Sequence, residues 1–245
     1  MGELDGRVAI VTGSSSGIGE ATARRLSELG CRVVVNSATS VEAGTAVAGS
    51  LPSEALYVQA DISDQEQGKA LVERTIERFG RLDLLVNNAG WTTPVKHADL
   101  DALTDEILRR TFEVNVFGTW WLTRAAMPHL RRSPDPNVVM ITSVAGVRPT
   151  GSSIAYAMSK AALNHLTALL AKSCGPVRVN AVAPGLVATP LSANMPELHA
   201  AVAAAVPLHR SAAPQDCADA VIALVRNTYV TGQVLVVDGG SSLVW

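Results

Sequence analysis

The residues best suited to chemistry are Ser143, Tyr156 and Lys160, which occur within one short stretch. Tyrosine and lysine four positions apart share one face of a helix, so the amine can approach the phenol. A free phenol has a pKa of about 10. A positive charge at ~4 Å, in an effective dielectric of ~20, should lower that pKa by roughly three units. The pattern predicts proton transfer near pH 7, with Ser143 holding the reacting oxygen. Taken alone, however, the Tyr–Lys pair is more typical of surface partners.

A glycine-rich turn, Thr12–Gly19, follows the first apolar run and reads TGSSSGIG. Glycines permit a tight turn, and the next helix presents unpaired N–H groups and its positive dipole end. This arrangement is typical of phosphate binding, although a glycine turn can be merely structural. The spacing is neither G-x-G-x-x-G nor that of a P-loop.

Further small or polar residues follow other apolar runs. Asp61 could accept a hydrogen bond from an adenine amino group, and the small residues of Asn87–Gly90 let a ligand approach the backbone. Asn115 lies in a helical pattern, where asparagine is mildly unfavourable. Pro184 and Gly185 follow a later run. Each has an ordinary structural explanation, but their shared position favours one common crevice.

These residues depend on apolar runs that alternate with helical patterns. The predicted strands are Arg7–Thr12, Arg32–Asn36, Ala55–Gln59, Leu82–Asn88, Asn137–Ser143, Val177–Ala183 and Gln233–Asp238. The predicted helices include one that ends at Gly30, and Val41–Ala48, Asp64–Phe79, Asp101–Leu130, Ser153–Ser173 and Gln215–Arg226. Near-continuous apolar strands indicate a sheet buried on both faces, and their alternation with helices makes it parallel. The fold class is therefore α/β, a single-domain Rossmann-like doubly wound sheet of seven mostly parallel strands.

The connection between the last two strands is unusually long. Residues 184–213 include MPELHAAVAAAV and come after the carboxyl end of a strand, where ligands bind in such sheets. We expect a substrate lid with a small helix, although an ordinary surface excursion is the alternative. No linker or fixed repeat divides the chain, so residues 1–245 are predicted to form one domain.

Together these motifs resemble the short-chain dehydrogenase/reductase family, including its 3-oxoacyl-carrier-protein reductase-like members. Thr12–Gly19 matches the TGxxxGIG turn, Asn87–Gly90 matches NNAG, and Tyr156–Lys160 matches YxxxK. Ser143 lies thirteen residues before the tyrosine, and the match covers essentially the whole chain. The resemblance implies hydride transfer between NAD(P)(H) and a carbonyl or secondary alcohol.

The resemblance also implies the role of each catalytic residue. Tyr156 exchanges a proton with the substrate oxygen, and Ser143 orients and polarises that oxygen. Lys160 lowers the pKa of the tyrosine and binds the nicotinamide ribose. Asn115 holds a water that connects Lys160 to solvent.

Two further sets of residues are expected to line the site, namely those that contact the cofactor and those that contact the substrate. The expected cofactor contacts, besides Tyr156 and Lys160, are Gly13, Ser15, Ser16, Gly17, Ile18, Gly19, Asn36, Ser37, Ala38, Asp61, Ile62, Asn88, Ala89, Gly90, Pro184, Gly185, Val187 and Thr189. The expected substrate contacts, besides Ser143 and Tyr156, are Trp91, Leu186, Leu191 and Met195. These apolar walls suit a hydrophobic ketone or acyl substrate.

The residues after the second strand bear on the choice of cofactor. An acidic residue there would bind the ribose 2′-OH and indicate NAD, but the sequence reads Asn36–Ser40 without an acid. The basic residue often found in NADP-using relatives is also missing. The site chemistry favours NADP(H), bound by hydroxyl and backbone N–H groups, and leaves NAD(H) open.

Composition narrows the class of protein. A net charge of −2 gives no reason to expect nucleic acid as the main partner. The amino terminus lacks a secretory pattern, and no run of eighteen uncharged apolar residues occurs, so we expect a cytoplasmic protein without a membrane partner. Three scattered cysteines read as ordinary thiols, and no metal site is expected.

Assembly and function each leave alternatives. The apolar carboxyl end, Leu243–Trp245, and the two long helices suggest a homotetramer or homodimer. The leading function is an oxidoreductase acting on a small carbonyl or alcohol substrate, with 3-oxoacyl-thioester reduction as one form. The alternatives are a sugar or steroid alcohol dehydrogenase of the same family, or an inactive dinucleotide-binding sensor or regulator.

Overall fold

The computed structural model describes residues 2–244 and contains a seven-stranded sheet. Its strands, β1 to β7 in chain order, are Val8–Val11, Arg32–Ser37, Ala55–Gln59, Leu84–Asn87, Asn137–Ile141, Arg178–Pro184 and Val234–Val237. Each neighbouring pair is parallel, and the order across the sheet is β3-β2-β1-β4-β5-β6-β7. The predicted doubly wound α/β fold is confirmed.

Helices connect these strands and cover the sheet. In chain order, α1 to α9 are Gly17–Glu28, Val41–Ser50, Gln65–Phe79, Asp105–Phe112, Thr119–Leu130, Ile154–Ser173, Pro196–Ala205, Pro214–Arg226 and Ser241–Val244. The helix expected in the 184–213 segment is α7, and a short 3-10 turn, Pro190–Ser192, precedes it.

The predicted helix from Asp101 to Leu130 is wrong in two respects. It begins at Asp105, because Thr104 is the N-cap and its hydroxyl accepts a hydrogen bond from the N–H of Ile107 at 3.3 Å. It is also interrupted by a π-helical turn, Glu113–Gly118, between α4 and α5. Such turns are rare and often mark functional sites, and this one contains the predicted catalytic Asn115.

Successive side chains of each strand point to opposite faces of the sheet and belong to two separate hydrophobic cores. Val8 and Ile10 of β1 join the cluster that packs beneath α3, α5 and α6. Ala9 and Val11 join the other cluster, with side chains of α1, α2 and α8. Burial on both faces explains why the strands read as continuous apolar runs.

The strand order reverses at β1, because β2 and β4 flank it. Ligands bind at this switch point in open parallel sheets, beyond the carboxyl ends of the strands. The two strand ends are tied together there, since the Thr12 hydroxyl accepts hydrogen bonds from the N–H groups of Asn88 and Ala89 at 2.9 and 3.0 Å. Among the helices of residues 2–244, none is both long and apolar enough to cross a bilayer.

Candidate active site

A cleft of about 1280 Å³ lies beyond the carboxyl ends of the strands. Of the residues predicted to contact the cofactor or substrate, all but Gly19 line this cleft, and of the four predicted catalytic residues all but Asn115 do. The structure therefore brings together residues that are scattered from Gly13 to Met195 in the sequence. Its volume exceeds that of a typical small-molecule pocket, so a dinucleotide and a substrate fit side by side.

The glycine-rich turn forms one wall of the cleft. Gly13 and Gly17 have φ values of 60° and 58°, a conformation that strains other residues. A Cβ at Gly19 would clash with the carbonyl oxygen of Gly13, so glycine is required here for close packing within the turn. Ser16 is the N-cap of α1 and makes no side-chain capping bond, which leaves the first N–H groups of the helix for an anion.

Asp61 and Arg110 form an ion pair in the next part of the cleft. Asp61 accepts hydrogen bonds from the N–H and hydroxyl of Ser63 at 2.9 and 2.6 Å, and its carboxylate lies 3.4 Å from the guanidinium of Arg110. Burial acts to raise the pKa of Asp61, but Ser63 and Arg110 outweigh it and hold that pKa below its usual value. Arg110 also lines the cleft and was missed in the sequence. Its charge became relevant only when α4 folded against the loop after β3.

The end of β2 has mixed capacity for a ligand. The amide of Asn36 is occupied, because it donates to the carbonyls of Val58 and Ala60 at 3.1 and 3.0 Å. The Ser37 hydroxyl lies 2.8 Å from the phenol oxygen of Tyr57. Beyond them Ala38, Thr39 and Ser40 are exposed along the cleft. Thus the exposed hydroxyl and backbone N–H groups, rather than Asn36, are available for binding.

Ser143, Tyr156 and Lys160 meet just beyond the end of β5. Ser143 caps the 3-10 turn Val144–Gly146 by accepting from the N–H of Ala145 at 3.1 Å. Tyr156 lies in the first turn of α6, and Lys160 follows one turn later. Lys160 is only 4% exposed, and its Nζ lies 5.5 Å from the centroid of the Tyr156 ring. The predicted proximity of phenol and amine is therefore present.

The expected pKa of Tyr156 is wrong for the chain alone. Tyr156 remains partly accessible from the cleft, yet desolvation by the surrounding protein raises the pKa of its phenol, and the nearby Ser143 acts in the opposite direction. Burial also lowers the pKa of Lys160 to about 8. The amine donates to the carbonyl of Ile141 at 2.9 Å and lies near the tyrosine ring.

Asn115 lies behind the cleft wall and is fully buried. Its Nδ2 donates to the carbonyl of Trp91 at 3.0 Å and to Oγ of Ser159 at 2.9 Å, and its Oδ1 accepts from the N–H of Trp91 at 2.7 Å. A Cβ placed on Gly90 would lie 3.4 Å from this Oδ1 and 3.5 Å from Nζ of Lys160. Asn115 therefore fixes the loop that carries Trp91, and Gly90 lies between its carboxamide and the amine of Lys160.

The substrate end of the cleft contains polar residues that the sequence did not single out. The hydroxyls of Thr92 and Ser152 lie 2.6 Å apart and connect the loop after β4 with the loop before α6. Other lining residues that were missed are Arg148, Pro149, Thr150, Gly151, Leu198, Val202, Ser241 and Ser242. They come from loops and from α7 and α9, whose placement against the cleft no local pattern encodes.

Two of the cysteines, Cys31 and Cys217, are buried thiols. Burial raises the pKa of Cys31 and of Cys217 to about 12 in each case, so neither is a reactive thiolate. Within residues 2–244 no group of three or more His, Cys, Asp or Glu side chains could hold a metal ion.

Comparisons with known proteins agree along nearly the whole chain. Residues 13–242 match a family model described as enoyl-(acyl carrier protein) reductase. The chain is 54% identical, over 96% of each sequence, to a Streptomyces violaceoruber protein named as ketoacyl reductase 2 of the granaticin polyketide synthase. It is 33% identical to the 3-oxoacyl-[acyl-carrier-protein] reductase of Thermotoga maritima, over 97% of this chain and 98% of that one.

The fold has equally similar relatives among solved structures. The aldohexose dehydrogenase of Thermoplasma acidophilum superposes with a TM-score of 0.89 and 32% identity, over 99% of this chain and 96% of that one. Sequence and fold thus lead to the same conclusion: the chain belongs to the short-chain dehydrogenase/reductase family and is an NAD(P)-dependent oxidoreductase of carbonyl or alcohol groups.

Proposed function

We propose that this protein reduces the ketone of a 3-oxoacyl thioester with NADPH. The convergence of Ser143, Tyr156 and Lys160 on the cleft that the glycine turn borders carries this proposal. Relatives named as ketoacyl and 3-oxoacyl reductases support the substrate class. The apolar side chains of Leu191 and Met195 along the cleft suit an acyl chain.

The residues of the cleft fit a dinucleotide. A Cβ at Gly13 would lie 3.0 Å from Cα of Ala89, and one at Gly17 would lie 3.3 Å from Cγ2 of Thr189, so glycine lets the turn pack closely against the two segments that border the cleft. The N-terminus of α1 supplies donors for the pyrophosphate. When bound, the nicotinamide cofactor supplies the hydride.

Each catalytic residue then has a role that its surroundings support. Ser143 donates a hydrogen bond to the ketone oxygen, and Tyr156 gives that oxygen its proton. Lys160, already placed beside the tyrosine ring, binds the ribose and favours the ionised phenol after proton transfer. Asn115, with one free lone pair on Oδ1, holds a water that returns a proton to Lys160.

NADP(H) is the proposed cofactor because no acid follows β2. Ser16, Thr39 and Ser40 offer hydroxyls at the cleft wall, and the N-terminus of α2 lies next to them. Comparing kcat/KM for NADPH and NADH with one ketone tests the choice. We expect NADPH to be preferred at least tenfold, and a preference for NADH would overturn it.

The 184–213 segment is proposed to act as a lid within a single domain. Val187 forms a parallel bridge with Ala212, so the two ends of the segment lie side by side. Between them, Leu191, Met195 and Leu198 line the substrate end of the cleft. A lid of this kind would exclude water from the reacting ketone.

A panel of substrates tests the reaction itself. Acetoacetyl-N-acetylcysteamine, a cyclic diketone, an aldohexose and a steroid alcohol should be compared at saturating cofactor, with both NADP(H) and NAD(H). We expect the thioester to give the highest kcat/KM. Highest activity with the hexose would instead support the alcohol dehydrogenase alternative, which the similarity to an aldohexose dehydrogenase favours.

We also propose that the chain assembles as a homotetramer or homodimer in the cytoplasm. Phe117 and Trp120 around the start of α5, and Met158 and Leu169 on α6, are large apolar side chains with 39–49% exposure. Leu243 near the carboxyl end is 80% exposed, whereas Trp245 lies outside the described residues. The free cysteines suit a reducing compartment.

A further inference from the structure

One histidine, to which the sequence patterns gave no role, joins three parts of the proposed lid. His199 lies on α7, and its Nδ1 is 2.8 Å from Oγ of Ser211. Its Nε2 is 3.1 Å from Oγ and 3.3 Å from the carbonyl oxygen of Ser192. Ser192 precedes α7 and Ser211 follows it. The imidazole therefore links the outgoing and returning stretches of the lid to the helix between them.

The surrounding hydrogen bonds assign the proton on this imidazole. The Ser192 hydroxyl donates to the carbonyl of Val187 at 2.6 Å, so its oxygen is left to act as an acceptor. Nε2 of His199 must then carry a hydrogen and donate to Ser192, and in the neutral ring Nδ1 accepts the hydroxyl hydrogen of Ser211. The neutral Nε2–H form satisfies both serines at once.

Ser192 connects the histidine to the proposed cofactor site. Its Oγ accepts from the N–H of Thr189 at 3.3 Å, in addition to its bond to Val187. Val187 and Thr189 line the cleft, and the Thr189 side chain is the nearest neighbour of the space above Gly17. These hydrogen bonds connect His199, through Ser192, to two residues of the cleft wall.

The same helix shapes the substrate end. Met195, Leu198 and Val202 lie at the N-cap of α7 and along its length, and all three line the cleft. Their spacing of three and four places them on one face of the helix. His199 follows Leu198 on the neighbouring face of the helix, and its bonds to Ser192 and Ser211 hold that face against the rest of the segment.

We propose that His199 is a positioning residue that locks the lid in its ordered form and thereby strengthens cofactor binding. This inference rests on the proposed function, because it takes residues 184–213 as a lid over a nicotinamide cofactor. If Val187 and Thr189 are already ordered before the cofactor arrives, binding loses less conformational entropy and is therefore tighter. His199 acts through Ser192 and Ser211 and does not itself touch the reacting atoms.

Three substitutions at this position separate its two bonds. His199→Gln retains a donor near the place of Nε2, His199→Asn retains a polar group near Nδ1 only, and His199→Ala removes both. We expect the Kd of NADPH, measured by fluorescence titration, to rise about tenfold in His199→Ala and several-fold in His199→Asn. His199→Gln should stay within about threefold of the wild type. At saturating NADPH the kcat of all three should change less than the KM for cofactor.

Controls distinguish this role from a general loss of stability. His97→Gln, in an exposed loop, should leave the Kd unchanged. If His199→Ala does not fold, Ser211→Ala takes its place, and a several-fold weaker affinity supports the proposal. Equal losses in His199→Gln and His199→Ala, or no loss in either, would overturn it. A wild type that binds neither NADPH nor NADH would overturn the proposed function and this inference together.

Discussion

At the scale of single residues, the main feature is a partly accessible phenol next to a buried amine. Desolvation moves both pKa values toward the neutral forms, upward for Tyr156 and downward for Lys160. The chain alone therefore holds Tyr156 protonated, as a proton donor for ketone reduction should be. Spacing in the sequence predicted that the two groups would meet, but it could not predict the carbonyl of Ile141, which the amine binds.

Replacing the phenol tests its role as a proton donor. Tyr156→Phe keeps the ring and removes the hydroxyl, and we expect kcat for ketone reduction to fall by about 10²–10⁴-fold. Cofactor affinity should survive, as titration of NADPH fluorescence would show. Turnover near that of the wild type would contradict the assignment.

The buried amine should leave a signature in the dependence of stability on pH. The pKa of Lys160 is about 8 in the folded chain against an ordinary value of 10.5, so the unfolded chain binds more protons between these values. The contribution of Lys160 to the free energy of unfolding is thus fully present above pH 10.5 and is lost as the pH falls through 8. Relative to Lys160→Met, the wild type should gain up to about 3 kcal/mol in free energy of unfolding from pH 8 to 10.5.

Urea unfolding of both proteins at several pH values in this range measures that difference. Because other titrating groups are common to both proteins, their contributions cancel in the comparison. A constant difference across the range would mean that Lys160 titrates normally in the folded chain. Lys160→Met should in either case lose most of its turnover.

At the scale of elements, the glycine turn and α1 form the part of the site that the sequence described best. The strand–turn–helix order is local, and the turn has the positive φ angles that its glycines anticipate. Gly19 has a packing role that was not predicted, because its Cα hydrogen faces the carbonyl of Gly13. The sequence alone does not distinguish a glycine that is needed for close backbone packing from one that is needed for ligand contact.

A pair of glycine substitutions tests this packing. Gly19→Ala should displace Gly13 and weaken NADPH binding at least tenfold, since its Cβ would clash with the turn. Gly49→Ala is the matched control, because Gly49 lies in α2 with open space around its Cα. That control should raise stability by up to about 1 kcal/mol and leave binding unchanged. Equal NADPH affinities in the two variants would contradict the role given to Gly19.

At the scale of the whole molecule, periodicity predicted the fold almost completely. Each of the seven strands begins and ends within two residues of its predicted bounds. Strands of a parallel sheet buried on both faces consist of continuous apolar runs, which are easy to recognise in a sequence. The site was predicted less fully. Arg110, Ser241 and Ser242 reach the cleft only through the packing of helices and loops that are distant in sequence.

The exposed apolar face of α5 and α6 leads to a prediction about assembly. Replacing Trp120 and Leu169 together by glutamate would place charges where we propose that a second copy packs. We expect light scattering after size exclusion to show a larger assembly for the wild type and a monomer for the double variant. A wild type that is already monomeric would remove the proposal.

The π-helical turn Glu113–Gly118 has a consequence for how this chain could be altered. A widened turn of this kind accommodates one more residue than an ordinary α-helix does. Deleting Val116 should therefore let α4 and α5 fuse into a continuous and more regular rod. The shortened chain would have a more regular helix, but the carboxamide of Asn115 would turn away from Trp91. The loop that carries Trp91, next to Lys160, would then lose the two hydrogen bonds that hold it.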